Sequence, residues 1–90
     1  MQTEAVGKYL KTIYEIQQHG GRVKTTTLAQ MLGVTAGSVT DMIKRLSNVR
    51  PKLVSHQMHK GVALTPRGKR IALNVIRRHR LLETFLNRVL

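Results

Sequence analysis

The chain has 90 residues, 16 Lys+Arg against 4 Asp+Glu, a formal charge of +12 and a pI near 11.5. That length holds one domain burying roughly 60 to 65% of its unfolded surface, and the lack of cysteine removes disulfides and thiolate metal sites. So cationic a surface seeks polyanions, and with neither a run of about 18 apolar residues nor a signal-peptide succession, a cytoplasmic protein that does not enter membranes is expected.

A first helix is expected from a cap at Gln2 or Thr3 to about Gln18, burying Val6, Tyr9, Leu10, Ile13 and Ile16. Lys8, Lys11 and Glu15 lie together on another side, as a solvated face or as phosphate contacts. His19-Gly20-Gly21 ends this helix, and Arg22-Val23-Lys24 is a short extended link.

The stretch from Thr26 to Asn48 reads as two helices meeting at a glycine. In the first, Leu28, Met31 and Leu32 recur at helical spacing and form the face to be buried. Gly33 accepts the left-handed backbone that closes a helix, after which Val34 is expected to turn inward. Thr35 then caps a second helix whose inner side is Val39, Met42, Ile43 and Leu46. Its outer side carries Gly37, Thr40, Asp41, Lys44 and Asn48. Short side chains at the start and basic ones toward the end suit entry into a DNA major groove, although such a pair also occurs as plain helix packing.

Pro51 forbids helix continuation, and Leu53 to His56 and Val62 to Leu64 are short strand candidates around a five-residue tip, Gln57 to Gly61. A hairpin directly after a recognition helix is a wing. His56 and His59 are expected to be neutral surface histidines rather than metal ligands. Thr65-Pro66 is a capping hydroxyl followed by proline at the first helical position, so a long helix runs from Pro66 to near the end. Ile71, Ala72, Val75, Ile76, His79, Leu82, Leu86 and Val89 share one broad face of it, and Leu81 with Phe85 forms a second patch. Its second half is expected to project and to need a partner. From Lys44 to Arg80 there are eleven basic residues and no acidic one, covering the segments that a winged helix lays on phosphates.

Tyr9-Leu10-Lys11-Thr12-Ile13-Tyr14, Leu28-Ala29-Gln30-Met31-Leu32-Gly33-Val34, Ser38-Val39-Thr40, Gly61-Val62-Ala63-Leu64-Thr65-Pro66-Arg67-Gly68 and Arg78-His79-Arg80-Leu81-Leu82-Glu83 together resemble the iron- and manganese-dependent repressors of the diphtheria toxin repressor family. The helix-turn-helix part is shared by many regulators; the arginine and histidine followed by leucines and a glutamate are far more specific to this family. The resemblance implies a dimeric repressor activated by Mn²⁺ or Fe²⁺ and binding palindromic operators of metal-uptake genes. It also implies a metal ligand, an acid or methionine, at the position of Lys8, a glutamate at that of Lys11 in manganese-type members, and further ligands beyond Leu90. Only His79 and Glu83 match ligand positions, four apart on one helical face. A histidine half-buried in an apolar stripe and bonded to Glu83 is the alternative account of His79. Family members often carry proline where Gly37 stands.

The expected fold is mainly α with a small β-hairpin: a winged helix-turn-helix over residues 1–76, then the end of a long C-terminal helix over 77–90 as the start of a truncated or absent dimerisation domain. The expected function, as the resemblance implies, is a DNA-binding transcriptional repressor of the metal-dependent, diphtheria toxin repressor-like type, with its recognition helix at about 35–48 in the major groove and its basic wing at about 52–64. Thr26, Thr35, Ala36, Gly37, Ser38, Thr40, Asp41, Lys44, Arg45, Lys52 and Lys60 are the expected contacts to double-stranded DNA. Leu82, Phe85, Leu86 and Val89 are the expected homodimer contacts. A basic protein coating nucleic acid without sequence preference or metal regulation is the alternative, opposed by the placing of Tyr9, Tyr14 and Phe85 on expected packing faces rather than stacking platforms. A metal sensor centred on His79 and Glu83 lacks ligands. An enzyme is not expected, since no nucleophile with a base, carboxylate pair or glycine-rich phosphate loop is evident.

Overall fold

The computed structural model describes residues 3–89, the side chains of Thr3 and Val89 excepted. The expected cap at Gln2 or Thr3 therefore lies outside the described residues. In chain order the elements are α1 (Thr3–Gln17), α2 (Thr25–Leu32), α3 (Ala36–Asn48), β1 (Val54–Gln57), β2 (Gly61–Leu64) and α4 (Pro66–Val89). This is a winged helix-turn-helix with a long final helix.

Tyr9, Leu10 and Ile13 of α1, Leu28 and Ala29 of α2, Val39, Ile43 and Leu46 of α3, and Ala72 of α4 meet in one core, which Val23, Leu53, Val54 and Val62 close from the hairpin side. Burial pushes the Tyr9 phenol above its ordinary pKa. Two residues depart from expectation at the turn between α2 and α3. Met31 is 65% and Val34 40% exposed, and the inner face of α2 is Leu28, Ala29 and Leu32. Gly33 does adopt the left-handed conformation (φ 68°), and the Val34 amide donates to the Ala29 carbonyl at 3.1 Å. In that type of helix ending, the residue at the Val34 position is drawn in by an apolar partner at the position of Ala29. A single methyl there offers too little surface, so Val34 stays out.

The hairpin pairs Val54 with Leu64, Ser55 with Ala63, His56 with Val62 and Gln57 with Gly61. Gln57 and Gly61 thus belong to the strands, leaving a tip of Met58, His59 and Lys60 instead of five residues. The link before α2 adds a third short pairing: Val23 and Val62 exchange two N–H to carbonyl bonds, each 2.7 Å. Gly61 makes that approach feasible. Its φ is +94°, and a Cβ at this point would lie 2.5 Å from the Val23 carbonyl oxygen.

Thr65 caps α4 by accepting from the Gly68 amide at 3.2 Å, while its hydroxyl donates to the Lys52 carbonyl at 2.6 Å. The first half of α4 packs on α1, with Ile71, Val75 and Ile76 half-buried around Ala72. Every side chain from Arg77 to Arg88 is exposed. Phe85 is among them, so of the three aromatics only Tyr9 is buried, and Tyr14 half-buried. A helix of 24 residues is about 36 Å long, which stretches the molecule to 47 × 27 × 27 Å.

Candidate nucleic-acid interface

The sequence of α3 divides it into two faces. Val39, Ile43 and Leu46 are buried and Met42 is half-buried, so Ala36, Gly37, Ser38, Thr40, Asp41, Lys44 and Arg45 all face outward. Thr35 fixes the leading end. Its hydroxyl accepts from the Ser38 amide at 3.1 Å and donates to the Ser38 hydroxyl at 2.9 Å. That leaves the Ser38 hydroxyl proton free to point outward, while the Thr35 hydroxyl is used in the cap. Thr40 donates to the Ala36 carbonyl at 3.0 Å and so offers a methyl group and an acceptor rather than a donor.

A shallow cleft lined by Thr25, Thr40, Ile43, Lys44, Ser47 and His56 joins the start of α2, the outer side of α3 and the first strand of the wing. Thr26 is exposed in the first turn of α2, where no side chain caps the helix. Free amides at such an end favour an anion. Lys44, Arg45, Lys52 and Lys60 are all exposed, as are His56 and His59. His59 stands at the wing tip with φ +66°, a backbone region that non-glycine residues seldom visit.

Sequence reasoning gave Arg22 no role beyond a link. The guanidinium donates to the Ser55 carbonyl at 2.6 Å, to the Ser55 hydroxyl at 3.1 Å and to the Gly61 carbonyl at 3.2 Å. It thereby holds both strands of the wing against the body. Its partners lie 33 and 39 residues away, and no local signal announces them. Within the basic run, Arg67 is likewise occupied, donating to the Pro51 carbonyl at 2.8 Å.

On the far part of the molecule His79 is exposed, not half-buried, and its described contact is Lys11 rather than Glu83: the ammonium Nζ lies 3.5 Å from Nδ1. With the ring proton on Nε2, Nδ1 accepts from that ammonium. His79 lies past Ile76, the last half-buried residue of α4 among those described, on the part of the helix whose side chains are exposed. Leu81, Leu82, Phe85 and Leu86, which follow, are 65, 56, 61 and 45% exposed. The side chain of Val89, the fourth expected dimer contact, lies outside the described residues.

Residues 1–62 match the family described as "Iron dependent repressor, N-terminal DNA binding domain". The chain belongs to the iron-dependent repressor family. Residues 65–90 match the companion "Iron dependent repressor, metal binding and dimerisation domain". Among curated proteins, the HTH-type transcriptional regulator MntR of Geobacillus thermodenitrificans is 33% identical over 86 residues, 96% of this chain and 60% of that protein. MntR of Bacillus subtilis is 31% identical over 86 residues, again 96% of this chain and 59% of the relative. The chain thus spans about 60% of the length of such relatives. Among solved structures, the metal-dependent transcriptional regulator MtsR superposes with a TM-score of 0.78 at 32% identity, covering 94% of this chain and 39% of that one. The manganese regulator SloR gives 0.74 at 33%, with 90% and 37% covered.

Within the iron-dependent repressor family, the metal-binding match falls on α4, so the donors there can be tested against an ion. Among the described residues no three His, Cys, Asp or Glu side chains come together. A first-row divalent ion requires several oxygen and nitrogen donors. His79 and Glu83 supply two at most, and the Nδ1 lone pair of His79 faces an ammonium. A dication about 4 Å from that ammonium is repelled by about 2 kcal/mol even with water-like screening. The described donors at this junction do not fit Mn²⁺ or Fe²⁺.

Proposed function

We propose that this iron-dependent repressor family chain is a sequence-specific, duplex-DNA-binding transcriptional repressor acting in the cytoplasm. The carrying observation is the outward face of α3, flanked by a wing that Arg22 clamps in place. Ala36, Gly37, Ser38, Thr40 and Asp41 lie against base edges in the major groove. Thr35 holds Ser38 in position there. Asp41 accepts from a cytosine amino group, and the Thr40 methyl meets a thymine methyl. Lys44, Arg45 and the amides beside Thr26 take backbone phosphates on either side of the groove, while Lys52 and Lys60 add contacts that carry no sequence information. Residues 1–76 form the DNA-binding unit. The exposed side chains after Ile76 support a homodimer joined through Leu82, Phe85, Leu86 and Val89, which pairs two half-sites of a palindrome.

Anisotropy titrations of random and palindromic duplexes at two salt concentrations test this. A preferred duplex must emerge, and Asp41→Ala must change which duplex is preferred while leaving the salt slope alone. If Asp41→Ala alters only the salt slope, the base-reading role of Asp41 is wrong. A steep slope with no preference for any duplex would instead establish a protein that coats DNA by charge.

A further inference from the structure

We infer that the α1–α4 junction of this chain excludes divalent cations, that the Lys11 ammonium stands there as a tethered cation, and that no metal bound at this junction switches DNA binding. The inference rests on the proposed DNA-binding function for its second readout only.

Lys11 is half-buried on α1, and its Nζ meets His79 Nδ1 of α4 at 3.5 Å. Lys8, three residues earlier, is a neighbour of Lys11 on the same side of α1, and Arg78 and Arg80 flank His79 in the chain. The carboxylates within a turn are Glu4 and Glu15 on α1 and Glu83 on α4, and all are exposed. Lys11 is thus the cation in contact with the imidazole, with Lys8, Arg78 and Arg80 adding positive charge to the two helices near it, and the three carboxylates do not gather into a group of donors with it. A metal ligand must present a free lone pair, and its site must tolerate added positive charge. Neither holds here. A lysine cannot dissociate as an ion does, so the contact between the two helices is present whatever the metal concentration.

The first test is electron paramagnetic resonance of Mn²⁺ titrated with the full 90-residue chain. The free-ion spectrum is expected to keep its intensity; stoichiometric loss of the signal would overturn the inference. The second is duplex affinity in Mn²⁺ against the same concentration of Mg²⁺, which equalises competition for phosphates. A coupled metal alters affinity by about 5- to 150-fold. The expected ratio is near one, and tightening by Mn²⁺ of about fivefold or more contradicts the inference. In the double variant Lys8→Asp, Lys11→Glu, with helix content checked by circular dichroism, Mn²⁺ binding should appear. A folded variant that still ignores Mn²⁺ would remove the lysines as the cause of exclusion and overturn the account. If no duplex binds under any condition, the proposed function fails, while the Mn²⁺ titration still decides the metal question.

Discussion

Thr35 connects local structure to recognition through a single oxygen. It satisfies the Ser38 amide and orients the Ser38 hydroxyl, so the cap of α3 and the leading edge of the base-reading face share one group. Thr35→Ala is expected to lower stability by about 1 kcal/mol, the typical value of a lost cap. In a urea titration this is a lower midpoint with an unchanged slope. Thr35→Ser keeps an oxygen in place and should restore most of the loss; failure to do so would mean that the methyl group, not the cap, matters. Duplex affinity should fall in the alanine variant by more than stability alone accounts for, because Ser38 is no longer held.

At the scale of elements, the wing is where sequence and structure diverge most usefully. The strands were legible from Pro51, Gly61 and the apolar residues between them, and α3 and α4 from their caps at Thr35 and Thr65, since all those signals are local. The inward place of Val23, its pairing with Val62 and the hold of Arg22 on Ser55 were not legible, because they depend on residues more than thirty positions away. Met31 illustrates the opposite error: helical spacing nominates it for the core, but the space beside α2 is filled by Leu28, Ala29 and Leu32. Within the candidate site, the outward residues of α3 could be read from periodicity, while the commitment of Arg67 to the Pro51 carbonyl could not. Lys52 and Lys60 on the wing are exposed. Replacing either with alanine should weaken binding equally for all duplexes and reduce the magnitude of the salt slope by about 1. An effect confined to one duplex sequence would place that lysine at a base edge instead.

Across the whole molecule, a compact body joins an unsupported rod. Burial on α4 ends at Ile76 and the Lys11–His79 contact follows it; beyond these Leu81, Leu82, Phe85 and Leu86 expose an apolar surface that water disfavours. We expect the chain to self-associate through that surface, and Phe85→Glu to shift sedimentation equilibrium toward monomer without changing helix content. A variant that associates as strongly as the parent would rule out this stripe as the contact. The charge of +12 makes attraction to any polyanion unavoidable, so affinity alone does not separate a specific surface from a general one. Location does. Amide chemical-shift mapping by NMR during titration with a DNA duplex is the most direct measurement. The account predicts that the largest shifts fall in residues 35–48 and in the wing around 52–64, with α1 little affected. Shifts concentrated on the arginines of α4 beyond residue 76, with α3 unmoved, would contradict it.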